Sequence, residues 1–71
     1  MDDRAYKIIE LVGVSDTSYD DAARRAIARA GLTLKGLGWY KVVDLRGLIR
    51  DGEVAEYQVT LQLGFRLLET D

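Results

Sequence analysis

The 71-residue chain has no cysteine and no histidine. The first absence excludes disulfide staples, and the two together remove the thiolate and imidazole ligands on which structural zinc sites depend. They also remove the commonest proton shuttle and the thiolate nucleophile. Catalysis would fall to Asp, Glu, Lys, Tyr or hydroxyl groups, and no spacing of these forms a catalytic constellation. The expectation is a protein that is not an enzyme and holds no metal. Long apolar runs are missing too: none approaches the roughly 20 residues of a spanning helix, and the acidic opening "MDDRAYK" lacks the basic and apolar regions of a secretory signal. No membrane partner and a cytoplasmic location are therefore expected. Nor is there an excess of cations. Ten Lys and Arg against 12 Asp and Glu leave a net charge of −2, which argues against a broad grip on nucleic acid.

What is present describes an ordinary globular chain, 48% apolar and 31% charged, with no linker, repeat or low-complexity segment. Residues 1–71 read as a single domain. A domain of this size buries only about 60% of the surface its unfolded chain exposes. Small domains compensate with disulfides, metals or association, and here only association is left.

The run "RAYKIIELVGV" is β-branched and apolar without helical period, so it predicts a strand ending near Gly13. Ser18 is a good N-cap, and Asp21 three residues later suggests a capping box weaker than one closed by Glu. Asp20 and Asp21 also suit the positive end of a helix dipole. Ala23, Ala26, Ile27, Ala30, Leu34 and Leu37 then recur at threes and fours, predicting an amphipathic helix of about 17 residues that stops near Gly36 and Gly38. Its alanine-rich stripe would let it lie close to a sheet. The arginines Arg24, Arg25 and Arg29 read as its solvated face.

Two strand-like runs follow, Trp39 to Arg50 and Glu53 to Leu68, around Asp51-Gly52, the strongest short hairpin signal because a type I′ turn needs positive φ at both central residues. In strict register that turn sets Trp39 opposite Gly64, Lys41 opposite Gln62, Val43 opposite Thr60 and Leu45 opposite Gln58. Alternation in the last run is clean, with Tyr57, Val59, Leu61, Leu63, Phe65 and Leu67 on the side that must meet the helix. Trp39, Val43, Leu45 and Ile49 then fall on the other side, an apolar patch large enough to mark a binding surface. One bulge would flip part of that assignment. The expected class is α+β, a β-α-β-β protomer whose hairpin overhangs its helix and needs copies of itself.

The only tryptophan, Trp39, stands opposite a glycine. Gly64 could merely accommodate the indole or a neighbouring backbone, or the indole could form one wall of a slot for a planar aromatic ligand. Gln58 lies on the same face and can both donate and accept, as the edge of a pyrimidine-like ring requires. Six positions of strand put it about 20 Å from Gly64, so the two would serve one ligand only if they came from different protomers. Arg46 and Arg66 are candidate anion contacts through their guanidinium forks. Arg66 shares the face of Trp39 and, in strict alternation, Arg46 does not.

In combination, "YKIIELVGVS", "AIARAGLTLKGLGWYKVVDLRG" and "DGEVAEYQVTLQLGFRL" resemble the dodecin family over Tyr6 to Leu67. The resemblance implies a three-stranded antiparallel sheet partly wrapped around one helix, assembled as a hollow homododecamer of tetrahedral symmetry. It further implies that riboflavin or flavin mononucleotide (FMN) binds in pairs between symmetry-related tryptophans, for storage, buffering or photoprotective quenching rather than turnover. Trp39, in "GLGWYKV", matches the stacking tryptophan, and Gln58, in "YQVTL", matches the glutamine on the isoalloxazine edge. Arg46 and Arg66 match arginines associated with the FMN phosphate. Some members also take coenzyme A. Leu48 departs from the pattern, since many bacterial members carry His there, and this bears on the choice between riboflavin and FMN. The alternative from another class is a structural homo-oligomeric module without cofactor, in which Trp39 is an interface hot spot.

Overall fold

The computed structural model describes residues 4–67. The chain runs as β1 (Tyr6–Ser15), α1 (Tyr19–Gly31), β2 (Leu37–Arg50) and β3 (Glu53–Arg66). The strands form one antiparallel sheet in the order β1-β3-β2, so the cleanly alternating strand is central. This is the β-α-β-β arrangement expected from the sequence. The Asp51-Gly52 turn has φ of 53° and 78°, as the type I′ reading requires.

Ser18 caps α1 from extended backbone, its Oγ accepting the Asp21 N–H at 3.0 Å. Such a cap contributes about 1 kcal/mol. The expected return bond of a capping box is replaced. The Asp21 carboxylate accepts from Ser15 Oγ and from Arg25 Nε, both at 2.6 Å, while Ser15 Oγ accepts the Thr17 N–H at 2.9 Å. The Ser15 hydroxyl, despite burial, is thus fully used, and its hydrogen bond is the main reason the Asp21 carboxyl is held below its ordinary value. Burial pulls the other way, and Arg25 and Arg24 add to the lowering.

The helix is shorter than its periodicity suggests. It closes at Gly31, where Leu32 N–H and Thr33 N–H bond three residues back to Arg29 and Ala30 carbonyls. Residues 32–36 are needed to carry the chain back to the sheet. Gly36, at φ 82°, makes the turn into β2, and its carbonyl accepts the Arg66 N–H at 2.9 Å. Leu37 therefore enters β2 rather than α1.

The core is Ala22 and Ala26 of α1 against Val59, Leu61 and Leu63 of β3, with Ile9, Leu11 and Ile27 packed around it. Burial of each large aliphatic contributes about 1.5–3 kcal/mol. Alanine on one side and Gly13 on the other allow the close approach. A Cβ on Gly13 would lie 2.9 Å from the Ala26 Cβ and 2.9 Å from the Ala22 carbonyl carbon.

Thirteen helical residues rise about 20 Å, whereas fourteen strand residues extend about 46 Å. The molecule is accordingly 56 × 20 × 13 Å, and α1 packs on β1 and β3 and leaves β2 uncovered. No residue of β2 is buried. The overhang is greater than the expected 17-residue helix implied.

Candidate functional site

The strict register holds at the two ends of the hairpin but not in its middle. Trp39 faces Gly64 and Lys41 faces Gln62, but an irregularity between Val42 and Asp44 shifts the pairing by one. Asp44 then faces Thr60, Leu45 faces Val59, and Arg46 faces Gln58. Two expectations are corrected. Leu45 lies on the helix side, opposite a core valine, and Val43 sits in the bulge, so neither joins Trp39 in an outer apolar patch. Ile49 lies beyond a further shift near the turn and pairs with Val54. Arg46, expected on the other side, shares the face of Trp39, Gln58 and Arg66. The physical reason is legible in retrospect. Strict alternation would have aimed Asp44 and Arg46 to the apolar side of β3 that carries Val59 and Leu61, and the bulge puts Leu45 there instead.

The outer face therefore carries mainly polar side chains from β2 and β3, with Trp39 and Leu48 as apolar exceptions, and mainly apolar ones from β1. Tyr6, Ile8, Val12 and Val14 lie there and are exposed. This strip, together with Tyr40, Val42 and Leu45 on the overhanging helix side, is the apolar surface that association would cover.

At one end of this face the Trp39 indole sits on Gly64. A Cβ added there would run into indole carbons Cε2 and Cζ2 and come within 2.6 Å of Nε1. Gly64 is thus the seat of the indole rather than an empty slot beside it. The Tyr6 ring packs on the same indole at 6.1 Å between centroids, tilted by 47°. Trp39 nevertheless remains 38% exposed, so the side chain is held from below and open from above. Arg66, two residues past Gly64, shares this end and faces Tyr6 across β1.

At the other end Gln58 and Arg46 are cross-strand neighbours, each held by a carboxylate two residues away. Gln58 Nε2 donates to Glu56 Oε1 at 2.8 Å. Arg46 directs Nε and Nη2 to the same Asp44 oxygen, at 3.1 and 2.7 Å. Leu48, opposite Glu56, adds an exposed apolar side chain. Sequence reasoning passed over Tyr6 and Glu56 and gave Asp44 no role. The signal available was spacing, since a carboxylate two residues before Arg46 and another two before Gln58 must share their faces.

The two ends do not meet within one protomer. Gly64 and Gln58 are six residues apart on β3, about 20 Å. A planar ligand stacked on the indole and hydrogen-bonded by the amide requires a second copy to supply the missing half. Among the described residues no group of three or more Asp or Glu side chains is placed to hold a metal ion, and no helix is long and apolar enough to cross a membrane.

Comparison with known proteins agrees with this fold. The family model described as Dodecin matches residues 5–68. The protein named Dodecin from Thermus thermophilus is 48% identical over 67 residues, 94% of this chain and 97% of that one. The structure of dodecin from Streptomyces coelicolor has a TM-score of 0.93 at 47% identity and covers 99% of this chain and 100% of its own. Calcium dodecin from Mycobacterium tuberculosis is more distant, 26% identical over 62 residues and 87% of each chain.

Proposed function

The chain belongs to the dodecin family, and from that premise we propose that it is a non-catalytic flavin-binding protein that stores, buffers and photoprotects riboflavin or FMN within a homododecameric shell. The observation that carries this reading is the Trp39 indole, seated on Gly64, braced by Tyr6 and open on its outer side. Offset stacking on such a face is worth about 0.5–1.5 kcal/mol beyond area burial. Gln58 offers an amide that both donates and accepts to the ring edge of a flavin stacked on another copy's indole. Arg46 and Arg66, both on this face, are the residues that would meet a phosphate. A bound flavin supplies a light-absorbing ring. Trp39 supplies an electron-rich indole in contact with it, through which electron transfer would quench the excited state.

The exposed apolar strip on β1 and the uncovered β2 favour association whatever the ligand. For that reason the rival reading, an oligomeric module with Trp39 as an interface hot spot, is tested alongside. Flavin fluorescence is titrated with wild type and with Trp39→Ala, and native mass is measured on both. Wild type should quench riboflavin and FMN, and Trp39→Ala should keep its assembly while binding weakens and emission returns. Unchanged quenching in the variant would sink the stacking role. A wild type that quenches nothing, with an assembly that collapses on Trp39→Ala, would establish the rival.

A further inference from the structure

Resting on the flavin reading, we propose that Asp44 is a specificity-determining residue that biases the site toward the unphosphorylated flavin by neutralising Arg46. The bulge at Val43 carries Asp44 and Arg46 together onto the face of Gln58. Were the register strict, neither would stand beside that amide. Arg46 spends both Nε and Nη2 on a single Asp44 oxygen, so one edge of its fork is occupied and its charge is countered where a phosphate would approach. The pair is open to solvent and to ligand, with side-chain exposures of 61% and 47%.

Glu56, bonded to Gln58 Nε2, adds a second carboxylate to the same group. Arg46 set against Asp44 and Glu56 leaves this group of three side chains one charge negative, and Leu48 opposite Glu56 brings no donor to offset it. A dianionic phosphate beside Gln58 therefore meets two carboxylates that oppose it as well as the Arg46 guanidinium. An uncharged hydroxylated chain meets carboxylate oxygens that accept its hydrogen bonds. Asp44 acts here through charge, which distinguishes it from a residue that only shapes the strand.

The test is the ratio of Kd for riboflavin to Kd for FMN, read by fluorescence titration of the assembled protein. Wild type, Asp44→Asn and Glu56→Gln are compared at low and high salt. Removing one charge near a dianion should shift the ratio toward FMN on the order of fivefold in each variant, and the shift should shrink at high salt. In an Arg46→Ala background Asp44→Asn should move the ratio less, because the released guanidinium is gone. A ratio that stays put, or moves toward riboflavin, in Asp44→Asn overturns the proposal while leaving flavin binding intact. A wild type that binds neither flavin overturns the flavin reading itself, and this inference with it.

Discussion

Replacing Gly64 with alanine separates the position of the indole from the stability of the fold. The new Cβ would fall among indole atoms Cε2, Cζ2 and Nε1, so one group must move. Gly64 is fixed in the central strand between β1 and β2, whereas Trp39 is 38% exposed and can rotate away about its own side-chain bonds. The displaced indole gives up part of its contact with Tyr6 and the sheet, costing about 1–2 kcal/mol. The effect on binding is larger. A ring stacked on an indole face covers roughly 100 Å², or about 2.5 kcal/mol at 25 cal/mol per Å². Stacking adds about 0.5–1.5 kcal/mol. Loss of that surface corresponds to a weakening of about a hundredfold or more. Gly64→Ala should keep native mass and melt roughly 5–15 °C below wild type, while flavin titration shows weak or absent quenching. Wild-type Kd in a correctly assembled Gly64→Ala protein would refute the claim that the glycine seats the stacking side chain.

Gly13→Ala should behave in the opposite way. Its Cβ would meet the Ala22 carbonyl and the Ala26 Cβ, which are fixed to the helix and cannot swing aside. About 3 kcal/mol of destabilisation is expected, and thermal melting should show a fall of roughly 10–20 °C. A melting temperature within a few degrees of wild type would contradict the close helix-sheet approach. The second prediction concerns acid. Asp21 is held below its ordinary 3.8, chiefly by Ser15, so the unfolded chain takes up its proton first. Its contribution to stability is therefore fully present above 3.8 and is lost as pH falls through the lower folded value. The stability difference between wild type and Asp21→Asn should be flat at neutral pH and shrink below that point. A difference that grows on acidification would reverse the assignment.

Much of this fold is written in short-range chemistry. Ser18 before an alanine-rich periodic run, Asp51-Gly52 between alternating segments, and Tyr57 to Phe65 with one greasy side each specify their element through neighbours only a few residues away. Those signals led to the right element order, whereas the central place of β3 came from the structure. They also put Trp39 against Gly64, because that pair lies on the part of the hairpin where irregularities cancel. A lone tryptophan, a glycine and a shortfall of core for so small a chain were enough to point toward association.

Other features depended on partners far along the chain. The helix stops at Gly31 because residues 32–36 must reach β3, where Gly36 meets Arg66, and no helical period encodes a return distance. The slip at Val43 places Asp44 and Arg46 beside Gln58 because the alternative turns both charges toward Val59 and Leu61 on the core side of β3. That choice weighs charge set beside an apolar strand face against one interrupted ladder bond, and it can be made only when the facing strand is in place. Residue type and spacing thus determined which side chains could form a site. The tertiary register decided which of them share a face, and it set Gly64, beneath Trp39, about 20 Å from Gln58 along β3, too far for the two ends to meet within one protomer.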